Sequence, residues 1–270
     1  MNVLFLTRSL DLGGAERQLA TLASALGRRG HAVEVATFYG GGPLQAELTR
    51  AGIPVHDLGK RGRYDLASIA TSVVRLIRDR APDVVHGYLV AANLASMLAR
   101  VARSRSRVVW GVRASDMDLS RYGAFHEMTF EAARRVAPLA DLVIANSESG
   151  RRFHVERCYP ADRTIVIPNG IDTDRFRPRP EEREAVRAEI DIAPDAPVIG
   201  VVARLDPMKG HDVFLSAAAR LASARPRVRF VVVGGGEAEA FRRLRARAGA
   251  LGIADRVRFT GSRGDVERVY

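Results

Sequence analysis

A single cysteine, Cys158, stands among the 270 residues, so neither a disulfide framework nor a clustered thiolate zinc site can be built within this chain. That usage fits a reducing, cytoplasmic compartment. Aromatic residues make up 6% of the sequence, and no RRM, KH or zinc-finger pattern is visible. A stacking platform for bases, and hence a nucleic-acid partner, is not expected. No stretch approaches the roughly 20 apolar residues that cross a bilayer. The opening MNVLFLTRSLDLGG lacks the basic n-region of a signal peptide and reads as a first strand. Any membrane contact is therefore expected to be peripheral.

What is present is a composition of 47% hydrophobic and 27% charged residues, that of a folded globular protein long enough for two domains. The formal charge is +11, nearly all of its positive part from arginine. Such a field attracts nucleic acid, anionic lipid or phosphorylated small molecules, and charge alone does not choose among them.

Short β-branched runs at residues 2–7, 32–38, 54–58, 83–88, 107–112, 141–146 and 164–168 alternate with helical periodicity over 15–26, 66–80, 91–103 and 125–137. That alternation predicts βαβ units and a mostly parallel, doubly wound α/β sheet over residues 1–170. The first helix repeats apolar residues at Ala15, Leu19, Leu22, Ala23 and Leu26 and is expected to stop at Gly27. Residues 171–197 are rich in proline and charge, with one helical stretch near 181–190, and read as a linker. A second α/β set covers 198–270, with strands over 198–204, 228–234 and 256–261 and helices near 210–224 and 237–251. A sheet of order 3-2-1-4-5-6 has its first strand at the centre. With three strands, residues 198–204 fall instead on an open edge with an apolar face partly uncovered. The sequence thus predicts an incomplete second domain, its remaining C-terminal strands outside this chain.

The segment VIGVVARLDPMKGHD, residues 198–212, concentrates the chemistry. An apolar strand delivers Arg204 to its carboxyl end, where open α/β sheets bind ligands, and Lys209 and Gly210 open a helix whose N–H groups and dipole favour an anion. A surface turn that happens to be basic would read the same way. Gly13 and Gly14, opening the first helix, allow close approach to the backbone, but the full G-x-G-x-x-G spacing of dinucleotide sites is absent.

Taken in order, GGAERQLATLASALGRRGHAVEVAT, PDVVHGYLVAANLA, DLVIANSES, IVIPNGIDTDRF, VARLDPMKGHD, VVVGGGE and VRFTGS resemble the glycosyltransferases of family 4 over essentially the whole chain. These are retaining GT-B enzymes of two facing Rossmann-like doubly wound domains. The resemblance implies that Arg204 and Lys209 neutralise the diphosphate of a nucleotide-sugar donor and serve in catalysis. It places Gly13 and Gly14 near the donor phosphate and acceptor, Gly234, Gly235 and Glu237 near the nucleoside, and Phe259, Thr260 and Gly261 beside the base. Phe259 is equally explained as a strand residue. His86 is a catalytic candidate expected to point from its strand end into the cleft. The histidine that many relatives carry two residues later is Tyr88 here. Glu16, Tyr88, Arg113, Ser115 and Asp116 are acceptor-side candidates, and Asn169-Gly170-Ile171-Asp172 is a domain crossover with a hinge role.

Asp116-Met117-Asp118 and Asp172-Thr173-Asp174 spell D-x-D but read as turns, and no metal or other cofactor is expected. The E-x7-E region of the family does not occur before Tyr270. The implied function is transfer of a sugar from a nucleotide-sugar to a glycolipid, polysaccharide or related acceptor, in bacterial cell-envelope assembly. Arginines over 99–107 and at 134–135 are placed to meet anionic membrane at its inner face. The rival readings are a truncated, non-catalytic binding module and a sugar-nucleotide epimerase of related architecture.

Overall fold

Strands buried on both faces need apolar side chains at successive positions, and the N-terminal half of the chain supplies them. In a computed structural model, which describes residues 1–62, 65–113 and 124–270, the chain divides into two units, Met1–Gly170 and Ile171–Tyr270. The first contains strands β1 (Asn2–Thr7), β2 (Ala32–Thr37), β3 (Val55–Asp57), β4 (Val84–Tyr88), β5 (Arg107–Val112), β6 (Leu142–Ala145) and β7 (Thr164–Val166). They form one parallel sheet of order β3-β2-β1-β4-β5-β6-β7. The period of two along β1 sends Val3 and Phe5 to one face, where Leu19, Ala23 and Val35 pack, and Leu4 and Leu6 to the other, with Val85, Val108 and Trp110.

The helices of this unit are α1 (Gly14–Arg28), α2 (Pro43–Arg50), α3 (Leu66–Arg80), α4 (Val90–Ser96), α5 (Leu98–Val101), α6 (Ala124–Val136) and α7 (Glu148–Val155). Gly27 does not end α1, which continues to Arg28. A Cβ at Gly27 would stand 2.9 Å from Ile53 Cδ1, so the glycine serves close packing inside the last turn. The helix expected over 91–103 is broken at Met97 into α4 and α5. Helices α2 and α7 escape the periodicity argument because each has only eight residues. Their start signals are local: Pro43 at the first turn of α2, and Ser147, whose hydroxyl accepts the Gly150 N–H at 3.0 Å, capping α7.

The second unit holds α8 (Arg183–Glu189), β8 (Val198–Val202), α9 (His211–Ala224), β9 (Arg229–Val233), α10 (Ala238–Ala250) and β10 (Val257–Gly261), with a parallel sheet of order β10-β9-β8. Phe230 and Val232 face Leu215 and Leu244, whereas Val231 and Val233 cover Ile192 and Ala196. Residues 171–197, read from sequence as a linker, therefore group with this unit and pack on its sheet. Three arginine-centred ion pairs add to that docking, and a local one to Asp265 steadies Arg268. Arg268 contacts Glu182, Glu189 and Asp265, and Arg263 contacts Glu189 at 2.8 Å. Strand β8 lies at the sheet edge, with Val198 37% and Ile199 41% exposed. A cavity of about 560 Å³ opens beside it, lined by Val186, Arg187, Val202 and Tyr270 among others.

Candidate functional site

In the second unit the ends of all three strands are stitched together by backbone hydrogen bonds. Ala203 N–H donates to Val233 O at 2.9 Å, Leu205 N–H to Gly235 O at 2.8 Å, and Gly234 N–H to Gly261 O at 2.9 Å. Gly234 makes this possible. Its φ is 153°, and a Cβ there would lie 1.9 Å from Ala203 O, so any side chain would force β8 and β9 apart. The stitching brings Arg204, Gly234, Gly235 and Gly261 to one rim.

From that rim a 3-10 turn, Pro207–Lys209, leads through Gly210 in the left-handed region (φ 69°) into α9. The side chain of Asp206 accepts the Met208 N–H at 2.9 Å, which fixes the turn, and His211, buried under it, bonds the Arg204 carbonyl at 2.8 Å. No side chain caps α9. Asp212 in its first turn is held by Arg243 at 2.8 Å. Arg204 and Lys209 are both exposed and enter no ion pair among the described residues. Two uncommitted cations thus stand beside a helix end with open N–H groups, an arrangement that attracts an anion.

The remaining donor-side candidates divide. Glu237 is exposed at the start of α10, and Thr260 donates its hydroxyl to Gly261 O at 3.0 Å. Phe259 turns its ring toward Phe241, 5.5 Å away, and joins the core cluster, so its side chain serves packing.

The first unit assembles a second group around the end of β4. Register pairs His86 with Phe5 on one side and Val109 on the other. Its ring is 5% exposed and enclosed by Phe5, Tyr88 and the bare Cα of Gly111, where a Cβ would come within 3.3 Å of Nε2. Expected to project outward, the ring instead lies inside the sheet's packing. Burial, aided by the charge of Arg113, lowers its pKa from 6.5 to about 3, so the imidazole is neutral near pH 7.

Tyr88 is also buried, and its hydroxyl accepts from Arg113 at 2.6 Å. The same guanidinium lies 4.6 Å from the Tyr88 ring and donates to Asn169 Oδ1 at 2.7 Å. Burial raises the Tyr88 pKa against the opposing pull of Arg113. Gln18 of α1 then closes a two-way amide pairing with Gly170, at 2.7 and 3.0 Å. Sequence reading missed Gln18, Asn93, whose buried amide donates to Gly111 O at 3.3 Å, and the Arg113–Asn169 bond, because each depends on partners 18 to 152 positions away.

Gly13 precedes α1 and Gly14 opens it, and the Glu16 carboxylate folds back so closely that a Cβ at Gly13 would meet it at 2.1 Å. A carboxylate at a helix N-terminus occupies the place where an anionic ligand would otherwise bind. Ser115 and Asp116, with the sequence Asp116-Met117-Asp118, lie outside the described residues. Asp172 Oδ1 accepts the N–H groups of Asp174 and Arg175 at 3.1 and 3.0 Å, so that D-x-D is a turn.

With this geometry in place, the family models are decisive. Residues 12–175 match Glycosyltransferase Family 4, and residues 182–270 match Glycosyl transferases group 1. The chain belongs to Glycosyltransferase Family 4. Among its relatives, the D-inositol 3-phosphate glycosyltransferase of Geodermatophilus obscurus is 31% identical over 92% of this chain and 60% of that protein. The GDP-mannose-dependent alpha-(1-6)-phosphatidylinositol monomannoside mannosyltransferase of Mycolicibacterium smegmatis is 31% identical over 72% of this chain and 49% of its own length. The crystal structure of Anabaena HepE in complex with UDP-glucose superimposes with a TM-score of 0.85, at 26% identity, covering 100% of this chain and 71% of that one. This family 4 chain thus spans about 60% of the first of these relatives. Its two parallel α/β units are those of the GT-B fold, as the sequence resemblance implied.

Proposed function

We propose that this chain carries the acceptor-side unit and part of the donor unit of a retaining glycosyltransferase. The reaction moves a sugar from a nucleotide-sugar to a glycan or lipid-linked acceptor in bacterial envelope or polysaccharide assembly. One observation carries the reading: Arg204 and Lys209, uncommitted, stand with the uncapped start of α9 at the carboxyl end of β8. As the bond between sugar and diphosphate breaks, negative charge grows on the leaving phosphate. Cations already in place then stabilise the transition state more than the ground state.

The Anabaena relative is bound to UDP-glucose and the mycobacterial one is GDP-mannose-dependent. What those donors share is a nucleoside diphosphate, the part that two cations and a helix end would recognise. His86, neutral and enclosed, acts in this reading as a positioning residue for Tyr88 and Arg113 rather than as a group that touches the sugar.

Peripheral contact with anionic membrane is assigned to the face of α5. No helix of the described residues is long and apolar enough to cross a membrane. Of the arginines expected to meet lipid, Arg100 and Arg107 are held by Asp141, and Arg134 and Arg135 by Glu131. The assignment therefore rests on Arg103 and Arg105 beside Val101, which is 64% exposed.

Calorimetric titration of UDP and GDP into the chain tests the donor assignment. Saturable binding weakened about tenfold or more by Arg204→Ala is expected. Equal affinity in the substituted chain overturns it. Sugar transfer is to be measured with the full-length protein, and binding without transfer there would favour the binding-module reading.

A further inference from the structure

Strand β4 ends at Tyr88 and α4 begins at Val90, so Leu89 alone turns the chain from strand to helix. Such connections usually take roughly two to six residues. Doing it in one demands an unusual backbone. Leu89 has φ 70° and ψ 165°, a region that essentially only glycine enters without strain. Among the described residues the other non-glycines with positive φ are Ala81, Arg103, Cys158 and Asp191. Each lies within three residues after a helix, where a left-handed residue commonly closes the last turn. Leu89 closes no helix.

The surrounding backbone holds this turn from both sides. The Leu89 N–H donates to Gly111 O at 3.2 Å, and the Leu89 carbonyl accepts the Asn93 N–H at 2.8 Å. Asn93, itself buried, sends its side-chain amide to the same Gly111 O at 3.3 Å, so one carbonyl of β5 fixes both ends of the turn. Gly87 lets α4 sit directly on β4, since a Cβ there would lie 2.7 Å from Ala92 O. Burial of the Leu89 side chain does not offset the strain. That side chain is half-buried and belongs to neither core cluster of the unit. What leucine adds is restriction. A glycine would reach the same φ and ψ freely, and many others besides, whereas a leucine held here has few alternatives.

The residue just before the turn is Tyr88. Its ring stands 5.0 Å from that of His86 and 6.1 Å from that of Phe5, with its hydroxyl on Arg113 at 2.6 Å. Arg113 in turn reaches Asn169 at 2.7 Å. We infer that Leu89 is a positioning residue, whose strained turn locks Tyr88 and, through it, Arg113 and Asn169 on the acceptor side. Strain of this kind persists where the surroundings over-determine it, and it recurs where side chains are pre-organised for a ligand. That these side chains serve the acceptor rests on the glycosyltransferase reading, whereas the locking of Tyr88 stands on the turn alone.

The test compares Leu89→Gly with Leu89→Ala in the 270-residue chain. Both lose the leucine side chain, and only the glycine relaxes the backbone. Leu89→Gly should therefore melt about 2–4 °C above Leu89→Ala. NMR of the labelled tyrosine rings reads the positioning, with Tyr88→Phe identifying the signals. The two edges of the Tyr88 ring should give separate signals in the unsubstituted chain and in Leu89→Ala, and averaged ones in Leu89→Gly. A gain in stability with a loss of side-chain order is the opposite of what a merely structural residue gives.

A glycine variant that melts no higher than the alanine one shows an unstrained turn and overturns the proposal. So do ring edges that stay separate in the glycine variant, or that are already averaged in the unsubstituted chain. Neither measurement uses donor or acceptor, so failure here removes the role of Leu89 and leaves the transfer reading standing. Conversely, unchanged sugar transfer by the full-length protein after Arg113→Gln removes the acceptor-side role and leaves the locked turn.

Discussion

The two units use the same architecture and commit their cations differently. In the first, Arg113 is spent on Tyr88 and Asn169, so its geometry is set before any ligand arrives. In the second, Arg204 and Lys209 have no acidic partner among the described residues, and their charge remains available. The sheets differ in the same sense. Seven strands with apolar layers on both faces enclose Trp110 completely, whereas β8 leaves Val198 and Ile199 exposed at an edge. At these two places the first unit holds its arginine still, and the second presents charge.

The strongest way to break this contrast is through the core. Trp110→Ala should cost the first unit about 3–5 kcal/mol, read by denaturant unfolding with amide exchange. Loss of protection in the second unit to the same extent would show that the units do not differ in independent stability. Next in size, Arg204→Ala should cost about 1.5–3 kcal/mol of nucleoside-diphosphate affinity by calorimetry, the range for hydrogen bonds to charged groups. A value near zero would mean that this cation is not available after all.

Acid should separate the units next. His86 is neutral in the folded chain down to about pH 3, while an unfolded histidine takes up a proton near 6.5. The unfolded state therefore binds the extra proton, and stability contributed by the neutral ring is lost as pH falls from 6.5 toward 3. Between pH 6.5 and 5 that amounts to about 2 kcal/mol. In the second unit the hydrogen bond from Arg263 holds Asp265 at about 2, below its ordinary 3.8. Its contribution is present above 3.8 and disappears only as pH falls toward 2. Amide exchange at pH 7 and pH 5, corrected for intrinsic rates, should show the first unit weakening alone, and His86→Leu should flatten that slope. Earlier weakening of the second unit would contradict the assignment. The smallest expected effect is that of Tyr88→Phe, about 1 kcal/mol from the lost acceptor for Arg113, seen as faster exchange near Asn169.

Sequence reading located the strands well because a doubly covered parallel strand has to be apolar and β-branched along its whole length. Asn2–Thr7 and Arg107–Val112 carry that demand in their residues. It located Arg204 and Lys209 because a basic turn after such a strand is visible one-dimensionally. His86 was misjudged in orientation, since whether a residue near a strand end faces the rim or the interior depends on its neighbours in β1 and β5. The arginines of 99–107 looked like a free basic face. Asp141, more than thirty residues away, neutralises two of them.

The scarcity of lysine gives each unit a chemical handle of its own. Apart from the α-amino group of Met1, the primary amines of the chain are those of Lys60 and Lys209. One sits against the rings of Phe38 and Tyr39, and the other beside the start of α9. An acylating reagent selective for amines therefore labels almost nothing else, and each label reports on one unit. Peptide mass mapping would read the occupancy of both positions from a single reaction, as two separate masses.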